Sequence, residues 1–391
     1  MHKTRTRNTI LTAVGFAAWL AYVLACAPAF SPDDTKVLFP SLDPKTAATT
    51  LAMYDRTTNT TRTLLVPRDR RQASQRGEGH DGMSLGSAWT PDGQRAIGFW
   101  AESTEELRVA IIPIKGAEPV RLLTIPNLDD VPQLVVQKLA ILGGSLFVTT
   151  KEDVVRVDLA TGDTTSKPLA GQPLLQSRGG RLYYLKDLMD KPERELRKWE
   201  FGRLDPDTLT PTAAFQSEER VARFWEVSAD GSRLAVQQEV DTVWHIVVLA
   251  GTRVERRIPV GTRESQVLPF NMTWSRDGST IYTTYQKVGD KGLSEFGILE
   301  LPVNGSAPRR TPLFSMTLAD DENLGGFQLD LSHDRRTVAA SSTFLALSGN
   351  KNDMKPEDCA LYLVDLSRAD RRVTKIAIPM PQAARTEPAG K

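Results

Sequence analysis

One short pattern recurs along this chain and limits what it can fold into. In SAWTPDGQRAIGFW, residues 87–100, Trp89 stands three before Asp92, Gly93 follows the aspartate, and an apolar run comes next. MTWSRDGSTIYTTY repeats it with Trp274, Asp277, Gly278 and Ile281, and WEVSADGSRLAVQQ repeats it with Val227, Asp230, Gly231 and Leu234. LDLSHDRRTVAASS carries Leu331, Asp334 and Val338, with Arg335 where glycine is expected. AFSPDDTKVLF carries Phe30, Asp33 and Val37, with Asp34 in place of glycine. Asp-Gly permits a tight hairpin, because glycine accepts positive φ and the aspartate side chain bonds its own backbone. Apolar residues on both sides of the turn mark two adjacent strands, with Trp or Phe filling space between neighbouring sheets.

Two weaker hairpins fill the long interval between Asp92 and Asp230: LAILGGSLFVTT, turning at Gly143-Gly144, and LLQSRGGRLYYL, turning at Gly179-Gly180. Each of these seven hairpins is followed by a second, from LAMYDRTTNTTRTLLV in the first unit to LYLVDLSRADRRVTKIAI in the last. A period of roughly fifty residues means a solenoid, propeller or array. Four strands per unit and seven units predict an all-β chain, a seven-bladed β-propeller of four-stranded antiparallel blades. Helical periodicity is confined to KDLMDKPERELRKWE, residues 186–200.

The W-S-x-D-G-x-x-I pattern, with VVRVDLATG and TRTLL as second-hairpin counterparts, resembles the TolB-type propeller repeat of bacterial envelope proteins. The likeness runs over residues 27–378 and implies a fold, not an activity, because such blades serve as scaffolds in many settings.

The chain opens with Lys3, Arg5 and Arg7 and no acid, then runs uncharged from Ile10 to Ala25. A basic start and a short apolar stretch predict a signal segment over 1–25. Sixteen uncharged residues are fewer than the roughly twenty that span a bilayer, although an uncleaved anchor stays open. Val23-Leu24-Ala25-Cys26 resembles the bacterial lipoprotein signal, with Leu24 departing from the preferred small residue. An ordinary signal-peptidase site would cut the same Ala25–Cys26 bond without lipid on Cys26. Lipidation of Cys26 is the expectation, since stable anchoring follows from multiple acyl chains. The expected organisation is signal 1–25, propeller 26–378 and a disordered, proline-rich tail 379–391, in an exported protein of the periplasm or cell surface.

Lys+Arg is 49 and Asp+Glu 48, so net charge gives no general pull toward nucleic acid. Two cysteines and four scattered histidines exclude a disulfide framework and a thiolate zinc site. No cofactor or metal site is expected. Gly82-Met83-Ser84-Leu85-Gly86 matches a nucleophile elbow, but that motif needs a strand before it and a helix after. Asp129-Asp130 and Asp320-Asp321-Glu322 lack calcium-loop spacing and read as solvated turns. His245 reads as an ordinary strand residue and Cys359 as a packed thiol.

The Asp-Gly turns should share one face, leaving ligands to the opposite face and the channel mouth. The candidate loops there are 67–86, 126–134, 186–198, 261–270, 286–295, 316–326 and 344–358. Trp89, Asp92, Gly93, Asp230, Gly231, Trp274, Asp277, Gly278 and Asp334 are assigned to building the repeat and not to a site. The first and last blades are expected to meet without strand exchange. The functional expectation is a non-catalytic scaffold binding an envelope protein or peptide. The alternative is a hydrolase or lyase acting on a sugar or lactone. An enzyme should gather inward-pointing carboxylates with perturbed pKa values. A scaffold should show an uncharged or solvated channel and an apolar patch on one rim.

Overall fold

The computed structural model describes residues 27–43, 49–65, 85–103, 105–115, 120–126, 139–150, 153–169, 173–188, 195–196, 198–218, 221–222, 224–241, 243–261, 267–289, 293–317, 328–342 and 356–379. Cys26, the signal segment, the tail beyond 379, Ser84, and the acidic clusters at 129–130 and 320–322 lie outside them. Seven four-stranded sheets are formed, each antiparallel and each from consecutive hairpins. They span residues 29–65, 85–125, 139–168, 174–217, 225–259, 267–317 and 328–377 and are called here blades one to seven. The first, innermost strands are Ala29–Phe30, Leu85–Trp89, Leu139–Leu142, Leu174–Arg178, Trp225–Val227, Val267–Trp274 and Gln328–Leu331.

Both faces of every blade are covered, which is why the inner strands read as apolar runs rather than alternating ones. Strand Ala360–Asp365 of blade seven shows the rule. Ala360, Tyr362 and Val364 pack toward blade six, and Leu361 and Leu363 pack toward blade one. Seven buried clusters result, one for each pair of adjacent blades. One cluster per interface around a closed ring sets the blade number at seven. Trp89 packs with Leu38, Leu51 and Met53 of blade one, and Trp274 with Ile246 and Val248 of blade five. Each indole also donates across the interface to the preceding blade: Trp89 Nε1 to Ala29 O at 2.9 Å and Trp274 Nε1 to Glu226 O at 3.0 Å.

The Asp-Gly turn is one part of a larger closed ring of hydrogen bonds. A Ser or Thr two residues before each aspartate donates its hydroxyl to the carboxylate: Ser31 to Asp33, Thr90 to Asp92, Ser228 to Asp230, Ser275 to Asp277 and Ser332 to Asp334, at 2.5–2.7 Å. The same hydroxyl oxygen accepts the backbone N–H three residues after the aspartate, in all five copies. The turn glycines Gly93, Gly231 and Gly278 have φ of 65–74°, the left-handed region that costs a side-chain-bearing residue about 1 kcal/mol. Hydroxyl donation from the serine holds Asp33, Asp230 and Asp277 down at about 2, below the ordinary 3.8. Stability from these groups is therefore present above about pH 4 and lost as pH falls through about 2. Asp277→Ala is expected to cost about 1 kcal/mol at neutral pH and to flatten the acid limb of a urea-unfolding series. An unchanged acid limb would rule out this role for the turn.

The described part of residues 186–200 is not the helix their charge pattern suggests. It is strand: the end of Arg181–Asp187, Glu195–Leu196 paired with Val221–Ala222, and the start of Trp199–Leu204. Trp199 is fully buried between blades four and five, and tertiary burial overrides a local helical preference. Within the ranges 261–270 and 286–295, expected as loops, the described positions 267–270, 286–288 and 293–295 are strand. Blade six has the longest strands, Val267–Trp274, Thr280–Val288 and Leu293–Pro302.

Blades one and seven meet without strand exchange, since every strand of each comes from its own segment. Side-chain packing is only part of that closure. Asp34, in the left-handed region at φ 57°, reaches over to the turn of blade seven. Its carboxylate accepts the N–H of His333 and of Asp334, both at 2.6 Å. Arg56 Nη2 donates to Thr337 at 3.0 Å, and Phe30 N–H donates to Asp330 at 2.9 Å.

Candidate functional site

Alternation along a strand sends the residue before the Trp89/Val227/Trp274/Leu331 position into the centre of the ring. In blades five, six and seven that residue is Glu226, Thr273 and Asp330. Together with Gln176 and Arg178 of blade four they line a cavity of about 290 Å³ in the central channel. Phe224, Trp225, Asn271, Met272, Gln328, Leu329 and Ala27 complete much of its wall. These wall residues precede the turn, so the cavity extends from the Glu226–Asp330 layer away from the Asp-Gly face.

Arg178 organises the polar floor. Its Nη2 donates to Thr273 Oγ1 at 2.9 Å and lies 3.5 Å from Glu226 Oε1. The Gln176 amide donates to Glu226 and accepts Val227 N–H at 3.0 Å. Asp330 accepts Phe30 N–H at 2.9 Å and Leu331 N–H at 2.8 Å. Glu226 is buried and Asp330 is half-buried. Loss of hydration pushes Glu226 up to about 7, with Arg178 and Gln176 opposing and the charge of Asp330 adding. Burial also raises Asp330, against the pull of the Phe30 N–H and Arg178.

The repeat residues singled out in the sequence all lie in interfaces and turns, away from this floor. Sequence reasoning missed Arg178, Glu226, Thr273 and Asp330. A signal was present: an acid directly before the apolar repeat residue, in WEVSADG and LDLSHDR, is an inward-facing acid once the strand is placed. Gly86 lies within the inner strand of blade two, Leu85–Trp89, so no helix follows the G-x-S-x-G stretch. His245 is half-buried in a strand, its Nδ1 3.0 Å from Val243 O. Cys359 is fully buried between blades seven and one, and burial pushes its thiol up to about 12. Among the described residues the exposed large apolar side chains are Val120, Leu122, Val240, Leu293 and Val373, spread over four blades. The channel floor carries the charged side chains Arg178, Glu226 and Asp330.

No protein-family model matches the chain, and no curated relative matches it. Solved structures share the fold. An oligogalacturonate lyase from Vibrio parahaemolyticus aligns with TM-score 0.52 at 13% identity, over 88% of this chain and 85% of the lyase. The Dos1 propeller aligns with TM-score 0.48 at 12% identity, over 92% and 87%. A prolyl endopeptidase aligns with TM-score 0.50 at 15% identity, over 81% of this chain. This chain spans about half the length of two proteins it matches, 46% of that endopeptidase and 56% of the dihydro-heme d1 dehydrogenase NirN. At these identities the likeness is one of fold alone. The class defined is a seven-bladed β-propeller with a charged cavity in its channel.

Proposed function

We propose that this protein is an exported, envelope-tethered binding propeller of TolB-like type whose ligand seats in the channel cavity. The observation that supports it is the Arg178–Glu226–Asp330 floor under a cavity walled by Phe224 and Trp225. Concave sites with aromatic walls and a few convergent polar groups are the ordinary form of a ligand pocket. A segment of an envelope protein or peptide that offers a hydrogen-bond donor or a cation would meet two carboxylates there. Binding is favoured over catalysis by how the acids are engaged. Asp330 already accepts two backbone N–H groups, and Glu226 is held by Gln176 and Arg178.

The basic start, the apolar run and Cys26 support export and a lipid tether. Ala27, the residue that follows Cys26, lines the channel cavity. A specific observation favours the second reading, an enzyme on a sugar or lactone: a carboxyl held near pH 7 is poised for acid–base work. The two readings part in one experiment. Wild-type, Cys26→Ser and Trp225→Ala proteins are used as baits on solubilised envelope and assayed on a panel of oligosaccharides and lactones. Partners retained by Cys26→Ser and lost with Trp225→Ala support channel binding. Partners kept equally by Trp225→Ala overturn it, and turnover lost in Glu226→Gln establishes the enzyme instead.

A further inference from the structure

We propose that the channel cavity takes an organic cation, an ammonium or guanidinium group on an alkyl stem, and that Asn271 is the residue that selects it. The proposal rests on the channel-binding reading and names the chemistry of the ligand.

The inner strand of blade six is irregular where the others are even. Pro269 pairs with Tyr285 and Met272 with Thr283, so Phe270 and Asn271 together stand opposite Thr284. The other six inner strands pair with their second strands without a shift. This bulge is held in place. Phe270 O accepts Gln237 Nε2 of blade five at 2.7 Å and Thr283 Oγ1 at 3.1 Å, and both donating side chains are buried. It also has a cost: opposite it, the Thr284 hydroxyl is buried with no hydrogen-bond partner among the described residues. Bulges re-aim side chains beside binding and active sites. Here the re-aimed residue is Asn271, which lines the cavity and is half-buried. Its amide makes no hydrogen bond to another described residue.

Charge decides what Asn271 reads. The cavity lining holds one cation, Arg178, and two acids, Glu226 and Asp330, which leaves one net negative charge. Arg178 is already engaged with Thr273 and Glu226. Asp330 accepts two backbone N–H groups, and a carboxylate has capacity for about four hydrogen bonds. The walls add Phe224 and Trp225, and the faces of such rings attract cations. A volume of about 290 Å³ is the share of about ten water molecules, room for one alkyl cation and not for a folded segment. An anion would meet two carboxylates, and a wholly apolar group would leave the Asn271 amide unanswered.

Calorimetry on the full chain at pH 8 uses the blocked tripeptides Ala-Lys-Ala, Ala-norleucine-Ala and Ala-Glu-Ala, together with cadaverine. Ala-Lys-Ala is expected to bind at least about tenfold more tightly than its norleucine isostere. Asn271→Ala should weaken that binding about fivefold, and Asp330→Asn should remove the preference for lysine. Asn271→Asp should tighten it, a gain that misfolding cannot produce. Tighter binding of Ala-Lys-Ala than of cadaverine marks a basic side chain as the source of the cation, and the reverse marks a free amine. Equal binding of the lysine and norleucine peptides, tighter binding of the glutamate peptide, or binding unchanged in both Asn271 variants overturns the proposal. If neither cation binds while envelope partners are still lost with Trp225→Ala, the cation is overturned and channel binding stands. If those partners are also kept, both readings fall.

Discussion

Replacing Arg178 by methionine is expected to destabilise the protein by about 3 kcal/mol at pH 8 and by much less at pH 5. The guanidinium is the neighbouring cation that compensates Glu226, and a buried charge that loses its partner costs about 3–5 kcal/mol. The pH dependence follows from the direction of the Glu226 shift. Its pKa is raised on folding, from 4.5 to about 7, so the folded state holds the proton more tightly than the unfolded one. Stability from this group is full below about pH 4.5 and is lost as pH rises through about 7. Without Arg178 the folded pKa rises further, and the loss becomes steeper. Below pH 5 the carboxyl is neutral and the missing partner matters little. Adding Glu226→Gln to Arg178→Met should recover much of the loss at pH 8 and remove the slope between pH 5 and 8. Urea unfolding across that range measures both. A pH-independent cost for Arg178→Met would show that the arginine acts through packing instead.

Asp34→Gly is expected to cost about 2 kcal/mol although it installs the residue that the repeat prefers. The glycine relieves a positive φ, a gain of about 1 kcal/mol at most. It removes a carboxylate that accepts two backbone N–H groups of blade seven at 2.6 Å, and hydrogen bonds to a charged group contribute about 1.5–3 kcal/mol each. Loss at the seam should also appear locally, as faster amide exchange in Lys36–Leu42 and Thr337–Ser341 than in the other second strands. Asp34→Gly as stable as the wild type would leave the seam to side-chain packing alone. Arg335 holds the equivalent turn position of blade seven at φ 62°, and Arg335→Gly, which relieves that φ, carries the opposite expected sign, so the pair tests whether a repeat position has one meaning or several.

Much of the fold is legible in the chain because its determinants are local. Asp92-Gly93, Asp230-Gly231 and Asp277-Gly278 turn within a few residues, and the second hairpins follow from adjacent apolar runs. The described part of residues 186–200 shows the converse: the charges carry a helical pattern, but Trp199 is claimed by the interface of blades four and five. The serine of each turn was visible in four copies and threonine in the fifth, yet its closing of the ring shows only in three dimensions.

The channel was not legible. Gln176, Arg178, Glu226, Thr273 and Asp330 come from four blades spread over 155 residues, and no spacing rule links them. By itself the sequence determined the repeat, the turns and the apolar strands, because hairpin geometry and period-two burial act over neighbours. Only the closed ring decided that an acid in one blade faces an arginine in another and that Asp34 joins the ends. Those outcomes depend on which blades end opposite each other, and that is set by the number of blades and the angle at which they pack.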